Sequence, residues 1–187
     1  MISANSITIS RIILSPILCF LLLNQKSFEE SLISVILFIL IFSTDWIDGF
    51  LARRTKVSNL GKIIDPVADK IFVFSVMICL IYINLLSVWP FIIILFRDLL
   101  MSSIRIFLAK NNIVCAANVY GKIKTCTQFL SLLFFLLNRL PYLNSTFYMV
   151  SYILGTTFIW ISAILSFISF FECIRMYKSE LKKIISE

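Results

Sequence analysis

Histidine is absent from the 187-residue chain. That excludes the serine–histidine and cysteine–histidine nucleophile pairs, and with them every histidine-ligated metal site. Glycine occurs only four times and never as G-x-G-x-x-G, so a dinucleotide-binding turn is excluded as well. The five cysteines (Cys19, Cys79, Cys115, Cys126, Cys173) are odd in number, scattered and never spaced C-x-x-C. Neither a disulfide framework nor a zinc site is expected of them; four sit in apolar tracts, where a thiol behaves as a small hydrophobe. Charge is scarce too, at 14% of residues against about 25% in soluble domains, while hydrophobic residues reach 60% against about 45–50%. A soluble globular domain is excluded, and a polytopic membrane protein is expected.

A bilayer span takes about 17–25 mainly apolar residues, and six tracts qualify: Ile9–Leu23, Ser31–Leu51, Pro66–Leu86, Val88–Ala109, Thr125–Leu143 and Phe147–Phe171. The first is short, and Met1–Ser10 is expected to form an interfacial helix leading into it. Pro66 and Pro90 stand at or near the start of their spans, where the missing N–H does no harm. The expected fold is all-α: one membrane domain over residues 1–187, with six transmembrane helices and a short N-terminal interfacial helix. With the amino terminus in the cytoplasm, every Lys and Arg except Lys26 and Arg139 falls on the inner half. The positive-inside rule therefore puts both termini on the cytoplasmic side of the cytoplasmic membrane. The net charge of +7 is read as topology and attraction to anionic membrane lipids rather than as nucleic-acid binding.

Four carboxylates stand where an apolar chain should have none. Asp45 and Asp48 are three apart near the inner end of the second span; Asp65 and Asp69 are four apart at the inner start of the third. On helices these spacings put each pair on one face, and a short loop joins the two spans. Four such carboxylates at the edge of hydrocarbon repel one another and lose hydration, at several kcal/mol per ion without partners. One solution is an ion-pair cluster with Arg53, Arg54, Lys56, Lys62 and Lys70. The other is a hard-metal site, for which oxygen-only ligands suit Mg2+ or Mn2+. Ion pairs do not explain the regular two-plus-two spacing, nor the small residues Gly49, Ala52 and Gly61 beside it. Four carboxylates can hold two ions, as phosphoryl-transfer sites do, and small residues let a phosphate-bearing ligand approach the backbone.

The pattern D-x2-D-G-x2-A-R-x7-G-x3-D-x3-D, filled by Asp45, Asp48, Gly49, Ala52, Arg53, Gly61, Asp65 and Asp69, resembles the signature of the CDP-alcohol phosphotransferases. The resemblance implies a six-helix membrane enzyme with two divalent cations, Mg2+ or Mn2+, held by Asp45, Asp48, Asp65 and Asp69. Asp69 would double as the general base. Gly49, Ala52, Arg53 and Gly61 would line the CDP-diacylglycerol pocket, with Ser58 as a possible polar contact; a guanidinium such as Arg53 is suited to gripping a diphosphate bidentately. The opening tract Asn5-x2-Thr8-x2-Arg11-x4-Pro16 is similar to the family's, although Ala4 stands where a proline is usual. Asn5 and Thr8 either touch the nucleotide or cap the helix. A homodimer is implied by the resemblance alone.

The fourth span carries Arg97, Asp98 and Arg105, and ionisable residues inside a span are functional candidates by default. Asp98 and Arg105, seven apart, can pair with one another; Arg97 and Arg105 lie two turns apart and can line one cavity. Gly121-Lys122-Ile123-Lys124-Thr125 opens the fifth span, its lysines being either inner-face anchors or part of that cavity. Convergence of Arg97, Arg105, Lys122 and Lys124 would favour an acceptor bearing its own phosphate. Within the family, R-[DE]-x6-R and G-K-x-K-T resemble the branch whose acceptor is sn-glycerol 3-phosphate. Phosphatidylglycerol, inositol phosphate and serine are the alternative acceptors, and a cation transporter is a distant alternative. The last two spans carry no motif, and Gly155 is read as helix packing.

Overall fold

A computed structural model describes residues 4–25, 27–51, 61–111, 113 and 119–185, with side chains for 11–25, 27–43, 67–109, 111, 113 and 119–177. The described residues form six helices and no strand: α1 (Ala4–Asn24), α2 (Phe28–Leu51), α3 (Gly61–Tyr82), α4 (Val88–Lys110), α5 (Val119–Leu137) and α6 (Ser145–Ile185). Each of the six apolar tracts thus holds a helix. One stretch of the described residues, Ser145–Tyr177, is long and apolar enough to cross a membrane on composition alone, and a shorter apolar stretch runs Arg11–Asn24. In α4 the charged Arg97, Asp98 and Arg105 interrupt the apolar run.

Helix boundaries follow local chemistry. No glycine or proline lies between Ala4 and Ser15, so the expected interfacial helix and first span are one continuous α1. At the start of α2 a capping box closes: the Glu30 amide donates to Ser27 Oγ, and the Ser27 amide donates to Glu30 Oε2, both at 3.3 Å. Glu29 and Glu30 also place negative charge against the positive end of the helix dipole. Helix α3 begins at Gly61 rather than Pro66, so the proline sits inside it. It ends in a Schellman motif, with Asn84 in the left-handed region at φ 59°. Leu85 N donates to Leu80 O and Asn84 N to Ile81 O, each at 2.9 Å. Helix α5 stops at Leu137, short of the expected Leu143, because Pro141 disfavours helical backbone before it. There Asn138 Nδ2 donates to Tyr148 O at 2.6 Å and the Tyr148 hydroxyl to Leu140 O at 2.8 Å, tying the turn to the start of α6.

The chain divides into two compact units, Met1–Leu86 with Leu132–Ile153, and Ser87–Ser131 with Leu154–Glu187. In the first, α1 lies against both α2 and α3. Leu18 and Leu22 of α1, Val35, Phe38 and Ile41 of α2, and Ala68, Phe72 and Val76 of α3 are buried. The Phe38 and Phe72 rings stack with centroids 5.7 Å apart and planes inclined by 25°. Ile13, Phe20, Ile36 and Leu40 point outward, so these helices are apolar outside as well as inside, as in a lipid environment. The described cysteines, Cys19, Cys79, Cys126 and Cys173, are free thiols.

The second unit holds α4, the first part of α5 and most of α6. Its core includes Ile94, Met101, Leu108, Ile159 and Ala163. Ser131 Oγ donates to the Gly155 carbonyl at 2.7 Å, a close approach of α5 to α6 of the kind small residues allow. Helix α6 runs past the expected end at Phe171 to Ile185 and takes in most of the tail from Lys178. At 41 residues and 1.5 Å per residue it is about 60 Å long, twice the hydrocarbon thickness.

Phe72→Ala is expected to destabilise the first unit by about 3 kcal/mol, because it removes a stacked core ring and leaves a cavity. Thermal unfolding in detergent measures this, with exposed Phe20→Ala as the comparison close to wild type.

Candidate active site

The predicted metal and nucleotide residues fall on consecutive helix ends of the first unit. Asp45, Asp48 and Gly49 occupy the last two turns of α2; Gly61, Asp65 and Asp69 occupy the opening turns of α3. Asn5 and Thr8 lie in the first two turns of α1. Ala52, Arg53 and Ser58 lie outside the described residues, as do the side chains of Asn5, Thr8, Asp45, Asp48 and Asp65. The stacked phenylalanines bring α2 against α3. Position 45 is seven residues beyond Phe38 and position 65 seven before Phe72, each about 10 Å along its helix.

Asp69 is the member of the quartet with a described side chain, 39% exposed. Its Oδ1 accepts a charge-assisted hydrogen bond from Nη1 of Arg11, a residue only 4% exposed in α1. The pair ties α1 to α3, and it resolves two problems together: an arginine buried in an apolar helix gains a counter-charge, and a carboxylate gains a fixed orientation. A carboxylate has about four lone-pair sites, so a bond from Arg11 is compatible with further ligands. Among the described residues no three metal-ligating groups cluster. Arg11 was noted in the sequence only as part of the opening tract; a lone arginine in an apolar stretch was the signal that it has a specific partner.

The predicted acceptor residues lie in the second unit and fall into two kinds. Arg97 and Lys124 are held in a network around Asp98. Lys124 Nζ contacts both Asp98 oxygens, at 2.6 and 2.7 Å, and Arg97 Nη1 donates to Oδ1 at 2.9 Å. The three side chains are 5–12% exposed. Lys124 is thus a buried structural cation rather than a surface anchor, and the pairing of Asp98 is with these two residues rather than with Arg105. Arg105 and Lys122, by contrast, are exposed and make no ion pair among the described residues. Arg97 also reaches α6, donating from Nε to Ser166 O at 3.3 Å and from Nη2 to Ser169 Oγ at 2.5 Å. The serines are residues that sequence reasoning missed. Ser162, Ser166 and Ser169 recur at helical spacing in a span otherwise apolar, and all three are fully buried.

A pattern of four aspartates on two helices, an arginine-oriented Asp69 and a cationic network occur in one helical chain, and its class is shown by comparison with known proteins. Residues 1–168 match the CDP-alcohol phosphatidyltransferase family model, and the chain belongs to that family. It is 35% identical over 180 residues to the CDP-diacylglycerol--glycerol-3-phosphate 3-phosphatidyltransferase of Bacillus subtilis, covering 90% of this chain and 91% of that one. Proteins of the same name are 36% identical over 172 residues in Wigglesworthia glossinidia brevipalpis, covering 87% of both chains, and 32% identical over 181 residues in Rickettsia typhi, covering 92% and 97%.

Asp98→Ala leaves two cations at a buried site without their shared counter-charge and is expected to destabilise the protein by about 3 kcal/mol. Thermal midpoints of detergent-purified variants test this, with exposed Lys122→Ala near wild type.

Proposed function

We propose that this chain transfers the phosphatidyl group of CDP-diacylglycerol to the primary hydroxyl of sn-glycerol 3-phosphate, giving phosphatidylglycerophosphate and CMP. The observation that carries the reading is the position of the complete eight-residue signature. Six of its residues, Asp45, Asp48, Gly49, Gly61, Asp65 and Asp69, fall in the last turns of α2 and the opening turns of α3, in a chain that aligns over 90% of its length with a relative named for this reaction. In the setting we propose, all six helices span the cytoplasmic membrane as one catalytic domain that works as a homodimer. Both termini and the site lie on the cytoplasmic side, as the distribution of basic residues supports. A site at the hydrocarbon boundary lets the acyl chains of the donor stay in lipid.

Asp45, Asp48, Asp65 and Asp69 are the residues that would hold two divalent cations, and the all-oxygen donor set on two helices fits Mg2+ or Mn2+. When bound, those ions supply neutralisation of the charge on the diphosphate and the leaving CMP. Gly49, Ala52, Arg53, Ser58 and Gly61, with Asn5 and Thr8, form the donor pocket in this reading, Arg53 gripping the diphosphate. Asp69, held by Arg11, takes the proton of the acceptor hydroxyl. The hydroxyl oxygen attacks the phosphorus attached to diacylglycerol, the bond from that phosphorus to the CMP oxygen breaks, and CMP leaves with the electron pair. Arg97, Arg105, Lys122 and Lys124 supply the positive charge that selects an acceptor with its own phosphate. Arg105 and Lys122, exposed and without an ion pair among the described residues, are the cations with most charge to offer it.

Three measurements test this. Membranes given labelled CDP-diacylglycerol should form product with sn-glycerol 3-phosphate and not with phosphatidylglycerol, inositol phosphate or serine, and excess chelator should abolish it. Asp69→Asn should lower kcat by about a thousandfold, the scale of a lost general base, while donor binding persists. Arg105→Ala should raise the KM for sn-glycerol 3-phosphate far more than that for the lipid donor.

A further inference from the structure

We propose that Ser169 of α6 is a positioning residue for the acceptor site, acting through Arg97; this rests on the reading that Arg97 helps to bind the acceptor phosphate. An arginine side chain is long and loses much rotamer freedom when fixed, so a phosphate-binding arginine works best when its plane is set in advance. In this chain three separate acceptors set it. Nη1 donates to Asp98 on its own helix, Nε to the Ser166 carbonyl, and Nη2 to Ser169 Oγ. A guanidinium has five N–H donors. Three are used among the described residues, which leaves one N–H on each terminal nitrogen, the pair that can meet two oxygens of a phosphate side by side.

Ser169 is suited to this as an alanine would not be. Its relative exposure is 0%, and a buried hydroxyl requires a protein partner; its oxygen takes the Arg97 donor while its own proton remains for another acceptor. The neighbouring serines are built into the same contact. Ser166 Oγ donates to Ser162 O at 2.8 Å, and Ser162 Oγ donates to the Lys124 carbonyl at 3.2 Å. The serine file of α6 therefore touches both helices that carry the buried cations: α4 through Arg97 and α5 through the backbone of Lys124. A third helix, which bears no recognisable motif, thereby sets the acceptor specificity.

The test is steady-state kinetics of full-length enzyme with each substrate varied in turn, on Ser169→Ala, Ser169→Thr, Arg97→Ala and the exposed Ser103→Ala. Ser169→Ala should raise the KM for sn-glycerol 3-phosphate about tenfold, the size expected when one hydrogen bond to a charged group is lost. Its kcat and its KM for CDP-diacylglycerol should stay near wild type, Ser169→Thr should restore the acceptor KM, and Ser103→Ala should change nothing. A raised acceptor KM in Arg97→Ala with an unaltered one in Ser169→Ala overturns the positioning role and leaves the acceptor pocket standing. An unaltered acceptor KM in Arg97→Ala overturns the pocket, and the role of Ser169 with it. Equal failure of Ser169→Ala and Ser169→Thr in all kinetic constants, with loss of monodisperse protein, shows that Ser169 serves packing alone and also overturns the proposal.

Discussion

A charge buried in an apolar helix needs a partner brought close to it, and that constraint is met in both units of this protein. Arg11 of α1 finds Asp69 of α3. Asp98 of α4 finds Lys124 of α5 and its neighbour Arg97. In water such pairs contribute little; where hydration is withdrawn, each ion left alone would cost several kcal/mol. The pairs therefore select one arrangement of helices that are otherwise interchangeable greasy cylinders, since dispersion and apolar burial alone discriminate weakly among helix registers in lipid. Specificity of assembly and placement of chemistry come from the same few residues.

Function follows from where those residues sit. Asp69 belongs to a pair whose arginine is buried while the carboxylate is partly exposed, so Arg11 orients a carboxylate that stays partly accessible. Arg97 is held on three sides and still presents donors. Lys124 is paired with Asp98, whereas Arg105 and Lys122 are exposed and make no ion pair among the described residues. A division between structural and available cations explains why a chain with so few charged residues can spend several of them within one region.

Much of this was legible in the sequence. Each of the six apolar tracts holds a helix, and the eight-residue signature led to the family. Helix ends were less legible, because they are decided by local chemistry that hydropathy does not see. Asn84 adopts a left-handed cap, Pro141 ends α5 early, and the stretch from Ala4 to Ser15, free of glycine and proline, merges an expected interfacial helix with the first span. Which charges pair was not legible at all. The spacing of Asp98 and Arg105 suits a pair on one helix, yet the partner found comes from α5, twenty-six residues away. The buried serines of α6 were overlooked because a small polar residue in an apolar span is common, and only its neighbour tells whether it bears a function.

The stacked pair Phe38 and Phe72 has a consequence of its own. It pins α2 to α3 about two turns from positions 45 and 65, so the rings behave as a pivot and the carboxylate-bearing ends as the tips of a pair of tweezers. A one-residue change of register on either helix would turn its positions by about 100° about the helix axis, so replacing one of these rings bears on the carboxylate-bearing ends as well as on the core.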